Sequence, residues 1–276
     1  MVGEAAAACV GFLVLWGEDA NMKVVTFNLR NDNDYDAENR WQYRKGLVLD
    51  KLAGEAPDIA GFQEVTPPMA DFLKRFLPEY IFVGCGREKD YSGENNMVAI
   101  RRDGYELMQL ETFWLSPTPD VPGSRYANQA SCPRVCTHVV LRPLDGRPMF
   151  HFYNTHLDHE SDEARVLGAQ AILGHMARDL ERLPLPLVLT GDMNAAPDSA
   201  PIRTLLGDER VRLTNQTPDF PASYHDYGRR MFEPQIDYVF TQGFRAVAAP
   251  EAWGRTEFGK YLSDHNALCA HVEAER

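Results

Sequence analysis

From Lys23 onward the chain repeats one pattern: a short apolar run ends in a polar residue drawn from a very small set, and amphipathic stretches fall between the runs. No other feature constrains the fold as much. Apolar runs of this length bounded by turn formers suit buried strands, while apolar residues at three- and four-residue spacing suit helices. The pattern predicts strands over 24–29, 59–65, 80–83, 96–101, 107–115, 135–141, 150–155, 187–190, 236–241, 246–252 and 266–272. It predicts helices over 39–54, from Thr66 through Leu77, and over 161–182. Gly54 ahead of Pro57 marks the end of the first helix. Thr66 before Pro67 marks the start of the second. Strands outnumber helices, and the helices are spread along the chain, as expected for an α/β fold in which sheets are covered by helices.

No internal repeat or low-complexity linker divides the 276 residues, so one domain over 22–276 is expected, preceded by an extension over 1–21. The apolar run from Ala5 to Trp16 is shorter than the roughly 20 residues of a membrane span. It also lacks the basic n-region of a secretory signal, the first basic residue being Lys23. The expected location is cytoplasmic, with a degenerate export signal as the alternative. Two long loops rich in Pro, Gly and Asp, 116–133 and 214–235, are of a length that usually serves function.

The formal net charge of −12 disfavours tight binding to long duplex nucleic acid, which draws affinity from counterion release against a basic face. Small phosphorylated substrates fit that balance better. The five cysteines are odd in number and irregular in spacing, so no secreted disulfide framework is expected. Cys132 and Cys136 lack a second ligand pair at finger-like spacing and read as reduced thiols.

The residues that end the apolar runs are Asn, Glu, His and Asp. Asn28 lies inside VVTFNLR, and Glu64 follows IAGFQ. His156 and Asp158 close FYNTHLDH, and Asp192 and Asn194 lie in LVLTGDMNAAPDS. QIDYVF and LSDHNAL bring Asp237, Asp264 and His265. Each alone has a bland reading as a solvated strand end or a satisfied structural histidine. If the backbone stays extended, Asp192 and Asn194 face one side. Together the set has the parts for metal-assisted attack on phosphorus: hard oxygens for magnesium, a carboxylate for water, and imidazoles for phosphoryl oxygens.

The ordered series FNLR, GFQEV, YNTHLDH, TGDMNAAPDS, IDYVF and SDH resembles the endonuclease/exonuclease/phosphatase superfamily, the deoxyribonuclease-like metal-dependent phosphoester hydrolases, across residues 23–273. The resemblance implies a four-layered α/β sandwich, two mainly antiparallel sheets face to face with helices outside. It implies Mg²⁺, or Mn²⁺ as the alternative, on Glu64, with Asn28 and Asp264 in or just outside the coordination shell. It gives Asp192, assisted by Asn194, the nucleophilic water. His156 and His265 are given the scissile phosphate, with Asp237 holding His265. TFWLSPTPDVPGS, GENN and SYHDY resemble a poorly characterised microbial branch distinct from the DNA-repair nucleases. Arg30 stands where many nucleases of the superfamily carry an acid, and either a substrate phosphate or a loop carboxylate would suit it. Arg134 and His225 are further candidates for substrate contact. The expected substrate is a phosphorylated small molecule, or a sugar- or lipid-linked phosphate. A nuclease on DNA or RNA is the runner-up, and a catalytically silent binding protein the second alternative.

Overall fold

The computed structural model describes residues 21–275 apart from 221, 231, 232 and 257. The expectation of an N-terminal extension therefore lies, except for Asn21, outside the described residues. Among those residues no helix is long and apolar enough to cross a membrane.

Two sheets carry the fold. In the first, β1 (Met22–Asn28), β2 (Ile59–Gln63), β4 (Val98–Arg101), β3 (Tyr80–Val83), β13 (Ala267–Ala274) and β11 (Phe244–Ala246) run in the order β11-β13-β1-β2-β4-β3, with β12 (Glu251–Trp253) also on β13. The second comprises β5 (Tyr105–Trp114), β6 (Val135–Pro143), β7 (Phe150–His156), β8 (Leu187–Asp192), β10 (Asp237–Gln242) and β9 (Thr214–Asn215), in the order β5-β6-β7-β8-β10-β9. All pairings are antiparallel except β1 with β2 and β7 with β8. Outside lie α1 (Trp41–Glu55) and α2 (Pro67–Phe76) on the first sheet, and α3 (Asp162–Arg182) and α4 (Ala200–Leu206) on the second. Three apolar clusters fill the three gaps between these layers. This is the expected four-layered sandwich.

The period of two explains how the strands serve both core and site. On β1, Val25 and Phe27 pack outward under α1 and α2, while Val24 belongs to the inter-sheet cluster. Thr26 and Asn28 share the parity of Val24. Phe152, Asn154 and His156 on β7 form the same progression, as do Val188, Thr190 and Asp192 on β8. The gap between the sheets thus passes from apolar through hydrogen-bonded polar to titratable along one direction. Asn154 ties its middle layer together: Asn154 Oδ1 accepts from Gln63 Nε2 (2.7 Å) and Thr190 Oγ1 (3.1 Å), and its Nδ2 donates to Phe62 O (2.9 Å) and Met97 O (3.1 Å), while Gln63 Oε1 has no partner among the described residues. Gly61 is required here, because a Cβ would stand 2.2 Å from Thr190 Oγ1 and 2.5 Å from Asn154 Oδ1.

Local differences from the sequence pattern have local causes. α1 runs past Gly54 to Glu55 and stops at Ala56, which takes a left-handed φ of 44° and donates its N–H to Leu52 O. Pro57 disfavours the helical conformation in the residue before it. Thr66 occupies the cap position of α2 but makes no side-chain cap bond. The run 246–252 is not one strand: β11 and β12 meet β13 separately, at Ala246↔Val272 and Glu251↔Cys269, with Pro250 between them. α4 and β9 escaped the sequence pattern, although Ser199 ahead of Pro201 is a helix-start signal.

Candidate active site

Asn28 ends β1 fully buried, and its Nδ2 donates to Glu64 Oε1 (3.0 Å) and Asp192 Oδ2 (3.0 Å). Its Oδ1 accepts from the Arg30 N–H (2.9 Å). Asp192 ends β8 in a matching turn, its Oδ1 accepting from the Asn194 N–H (2.9 Å). Such side-chain-to-backbone turns tolerate a left-handed residue, and Arg30 (φ 53°) and Asn194 (φ 47°) both adopt that conformation. Glu64, just past β2, is left-handed as well (φ 59°). Each such residue costs about 1–2 kcal/mol, and these three cluster where the strands end.

The turn at Asn194 overturns one expectation. The chain does not stay extended after Asp192, and Asn194 sends its Nδ2 to Leu157 O (3.1 Å). It reaches the pocket through a turn, not through strand alternation.

His265 Nδ1 lies 2.8 Å from Asp237 Oδ2, and its Nε2 lies 3.8 Å from Asp192 Oδ2. Burial alone would lower the pKa of this ring, but Asp237, Asp192 and Asp264 outweigh it and raise it to about 10. His156 Nε2 is 3.5 Å from the same Asp192 oxygen. Burial, then the charges of Arg134 and Arg87, hold this second imidazole well below the usual histidine range, so it is neutral. Burial first, then the charge of Asp237, push the Asp192 carboxyl up to about 7. For Glu64 burial acts upward, yet Arg30, the Asn31 N–H and Asn28 prevail and hold it below the usual range. Burial and the charge of Glu64 raise Asp264 to about 6. One site therefore holds an ionised carboxylate, a carboxyl poised near neutrality, an imidazolium and a neutral imidazole.

These groups line a pocket of about 510 Å³ with Arg30, Asn31, Arg87, Glu94, Arg134, Tyr224 and Arg230. Its cations and carboxylates nearly balance, so the pocket does not share the acidity of the whole chain.

A model of the Endonuclease/Exonuclease/phosphatase family matches residues 25–265. The chain belongs to this family. An endonuclease/exonuclease/phosphatase from Bacteroides vulgatus is 30% identical, with coverage of 92% of this chain and 99% of that one and a TM-score of 0.84. A mannosyl-6-phosphatase from Bacteroides thetaiotaomicron is 25% identical, with coverage of 91% and 99% and a TM-score of 0.79. The uncharacterized protein L388 of Acanthamoeba polyphaga mimivirus is 24% identical over 245 residues, 79% of this chain and 87% of that protein. Phosphoester hydrolysis is the reaction shared by the activities in the family's name.

Within this Endonuclease/Exonuclease/phosphatase domain, Glu64 and Asp264 are a fitting donor pair for a hard divalent cation. Each Glu64 oxygen accepts one hydrogen bond, from Asn28 (3.0 Å) or the Asn31 N–H (3.0 Å), which leaves a lone pair on each. The mutual repulsion that raises Asp264 is what a cation would relieve. Asp192, Asp237 and His265 also bring ligand atoms within 4.8 Å of one another, but the imidazolium opposes a cation there. The Asn28 amide is already committed to protein partners. Ionised Glu64 can only accept and the Arg30 N–H can only donate, so the amide nitrogen faces the carboxylates and the residue acts as their spacer.

The three basic candidates divide. Arg30 takes the loop carboxylate, with its Nε and a terminal nitrogen on Asp36 at 2.9 and 3.1 Å, and also lines the pocket. Arg134 is buried and lines the pocket, bonded to His159 Nδ1 (2.9 Å). Its Nε has no partner and, among the described residues, no carboxylate lies within ion-pair distance of it. His225 is not among the lining residues. It packs against Tyr261 (5.0 Å between ring centroids), burial pushes it down to about 4, and its N–H holds Asp264 O (2.9 Å). Its neighbour Tyr224 takes the place expected of it, 5.0 Å from the His265 ring.

Sequence reasoning missed Arg44 and Ser263. Buried Arg44, on the inward face of α1, donates to Leu29 O (3.0 Å), Arg30 O (3.1 Å) and Leu262 O (2.7 Å). Ser263 Oγ donates to Asn28 O (2.7 Å). These bonds lash the Asn28 turn to the Asp264 loop. The available signal was an arginine in helical register with Trp41, Val48 and Leu52. Asp158, left without a role, accepts from the Ser161 N–H (2.7 Å) and Ala130 N–H (3.1 Å) and anchors the entry to α3.

Proposed function

We propose that the chain hydrolyses a phosphoester on a small, sugar-linked or lipid-linked phosphate with a divalent cation, Mg²⁺ or alternatively Mn²⁺. The observation that carries this is Asp192: a fully buried carboxyl at about 7, held between the Asn28 amide and the His265 imidazolium. A group poised there can take a proton from water near neutral pH.

Each residue then has a task set by its surroundings. Asp192 orients the attacking water and receives its proton, with Asn194 fixing the carboxylate through its N–H. Glu64 and Asp264 would hold the cation, whose chemistry would be to polarise a phosphoryl oxygen and ease departure of the leaving oxygen. His265, kept charged by Asp237, donates to a phosphoryl oxygen as negative charge builds, and neutral His156 donates from the other side. Arg134 offers a guanidinium to an anionic oxygen. A buried guanidinium without a carboxylate costs several kcal/mol, and an anionic substrate would repay that.

The bounded pocket and the similarity to a mannosyl-6-phosphatase favour a compact substrate over a polymer. The test is a metal-supplemented screen of sugar phosphates, sugar phosphodiesters, phospholipid head groups, inositol phosphates and oligonucleotides. Fastest turnover on a small phosphate supports the reading. Fastest turnover on oligonucleotides, lost in Asp192→Asn, replaces it with a nuclease.

A further inference from the structure

Away from the pocket, β12 and β13 bring three ligating side chains together. Cys269 and His271 are two apart on β13 and project from one face, the face on which Cys269 joins the α1–α2 cluster with Trp253. Glu251 on β12 is the direct cross-strand partner of Cys269. His271 Nε2 lies 3.1 Å from Glu251 Oε1 and 3.8 Å from Cys269 Sγ, and one ligand atom from each residue lies within 4.8 Å of the others.

We propose that Glu251, Cys269 and His271 form a Zn²⁺ site that clips β12 to β13. Tetrahedral zinc, with bonds of about 2.3 Å to sulfur and about 2.0–2.1 Å to nitrogen and oxygen, sets sulfur and nitrogen roughly 3.6 Å apart and nitrogen and oxygen roughly 3.4 Å apart. The two separations from His271 Nε2, 3.8 Å to Cys269 Sγ and 3.1 Å to Glu251 Oε1, are already within a few tenths of an ångström of these. A thiolate, an imidazole and a carboxylate select zinc over magnesium, which sets this cluster apart from the all-oxygen pair Glu64 and Asp264. Three protein ligands leave a fourth position for water, and Glu251, with its side chain 49% exposed, gives the ion a way in.

The Asn21 amide lies 3.5 Å from His271 Nδ1. Turned to present its oxygen, it would supply the outer partner that orients a liganding histidine. Lys23 and Lys51 lie over the Trp253 ring, 5.3 and 5.1 Å from its centroid, and share Glu55, which offsets part of their charge.

A competing reading takes the three as a nucleophilic cysteine triad, and geometry opposes it. A relay through imidazole uses both ring nitrogens, whereas Sγ and Oε1 here approach the same Nε2. The position also suits a clip: β12 is three residues long, and β13 begins two residues after His265.

The test uses metal-stripped full-length protein carrying C132S, which removes the thiol lining the active-site pocket, so that the thiolate charge-transfer band of added Co²⁺ reports a sulfur ligand from outside that pocket. One equivalent should produce the band, Zn²⁺ should displace it, and C269S and H271A should each abolish it while phosphoesterase turnover continues. Zn²⁺ in hundredfold excess over its dissociation constant should raise the melting temperature by roughly 5–10 °C. E251Q, which keeps the thiol and the ring, should weaken Zn²⁺ binding at least tenfold if C269S fails to fold. Absence of the band in folded protein, or its persistence in C269S or H271A, would overturn the proposal.

Discussion

Replacing Asp237 by Asn removes the charge that keeps His265 protonated, and the consequence can be worked through. With its pKa raised to about 10, the His265 ring is charged at any pH below that value and loses the proton only as pH rises through it. Asp192 acts in the opposite sense: at about 7 it is ionised above that value and lost as a base when pH falls through it. Activity should therefore form a plateau between the two limbs, centred near pH 8.5. In Asp237→Asn burial still lowers the pKa of His265 while only Asp192 and Asp264 are left to raise it, so it falls below its native value. A smaller share of the rings is then charged at pH 8, which slows turnover through protonation alone. Loss of orientation adds to this, toward the 10²–10³ typical of a missing transition-state donor. Both limbs should also move to lower pH, since Asp237 raises Asp192 as well as His265. The assay is a pH series of kcat on the best phosphoester, with folding of each variant checked by melting. Asp237→Asn/His265→Ala should be little slower than the slower single variant. An unshifted profile in folded Asp237→Asn, or strictly multiplicative losses, would refute the coupling.

Three further outcomes follow from other parts of the molecule. Arg134→Met should raise KM for a small phosphoester by about 10–100-fold through loss of a charge-assisted hydrogen bond. It should leave the melting temperature unchanged or higher, since an unpaired buried charge is removed; unchanged KM would exclude Arg134 from the substrate. Gly61→Ala should cost about 1–3 kcal/mol by overpacking the polar layer, read as a melting temperature lower by roughly 3–10 °C, and an unchanged melt would show that the sheets can separate at no cost. A chain beginning at Met22 should melt within a few degrees of the full chain and keep its turnover. A large loss of either would mean that the preceding apolar run packs onto the domain.

The pattern of apolar strands closed by Asn, Glu, His or Asp made the layers and most of the site legible before any geometry. Asn28, His156 and Asp192 could be read because they sit at the end of a period of two whose earlier members, such as Val24 and Val188, are plainly core. Asp237 and His265 were paired through the family pattern, and their bond of 2.8 Å agrees. What failed depended on backbone turns and on partners distant in sequence. Asn194 leaves the extended conformation because Asp192 captures its N–H, which spacing alone does not reveal. Arg44 shares a helix face with Trp41, Val48 and Leu52, but its task shows only once the carbonyls of Leu29, Arg30 and Leu262 are placed around it. His225 and Tyr224 are neighbours, and only the bridge between Tyr224 and His265 decides which faces the pocket. The net charge misleads most: four arginines line a pocket in a chain of charge −12.

In the proposed reaction a divalent cation on Glu64 and Asp264 and a carboxylate at Asp192 act together on a phosphoester. It is tested most directly by the turnover of chelator-treated protein on a small sugar phosphate, before and after Mg²⁺ or Mn²⁺ is returned. Wild type should be silent in excess chelator and recover with either ion. Glu64→Ala should need far more metal to recover, and Asp192→Asn should stay silent at any metal concentration. Full turnover in excess chelator would rule out the cation, and an Asp192→Asn variant as active as wild type would rule out Asp192 as the base.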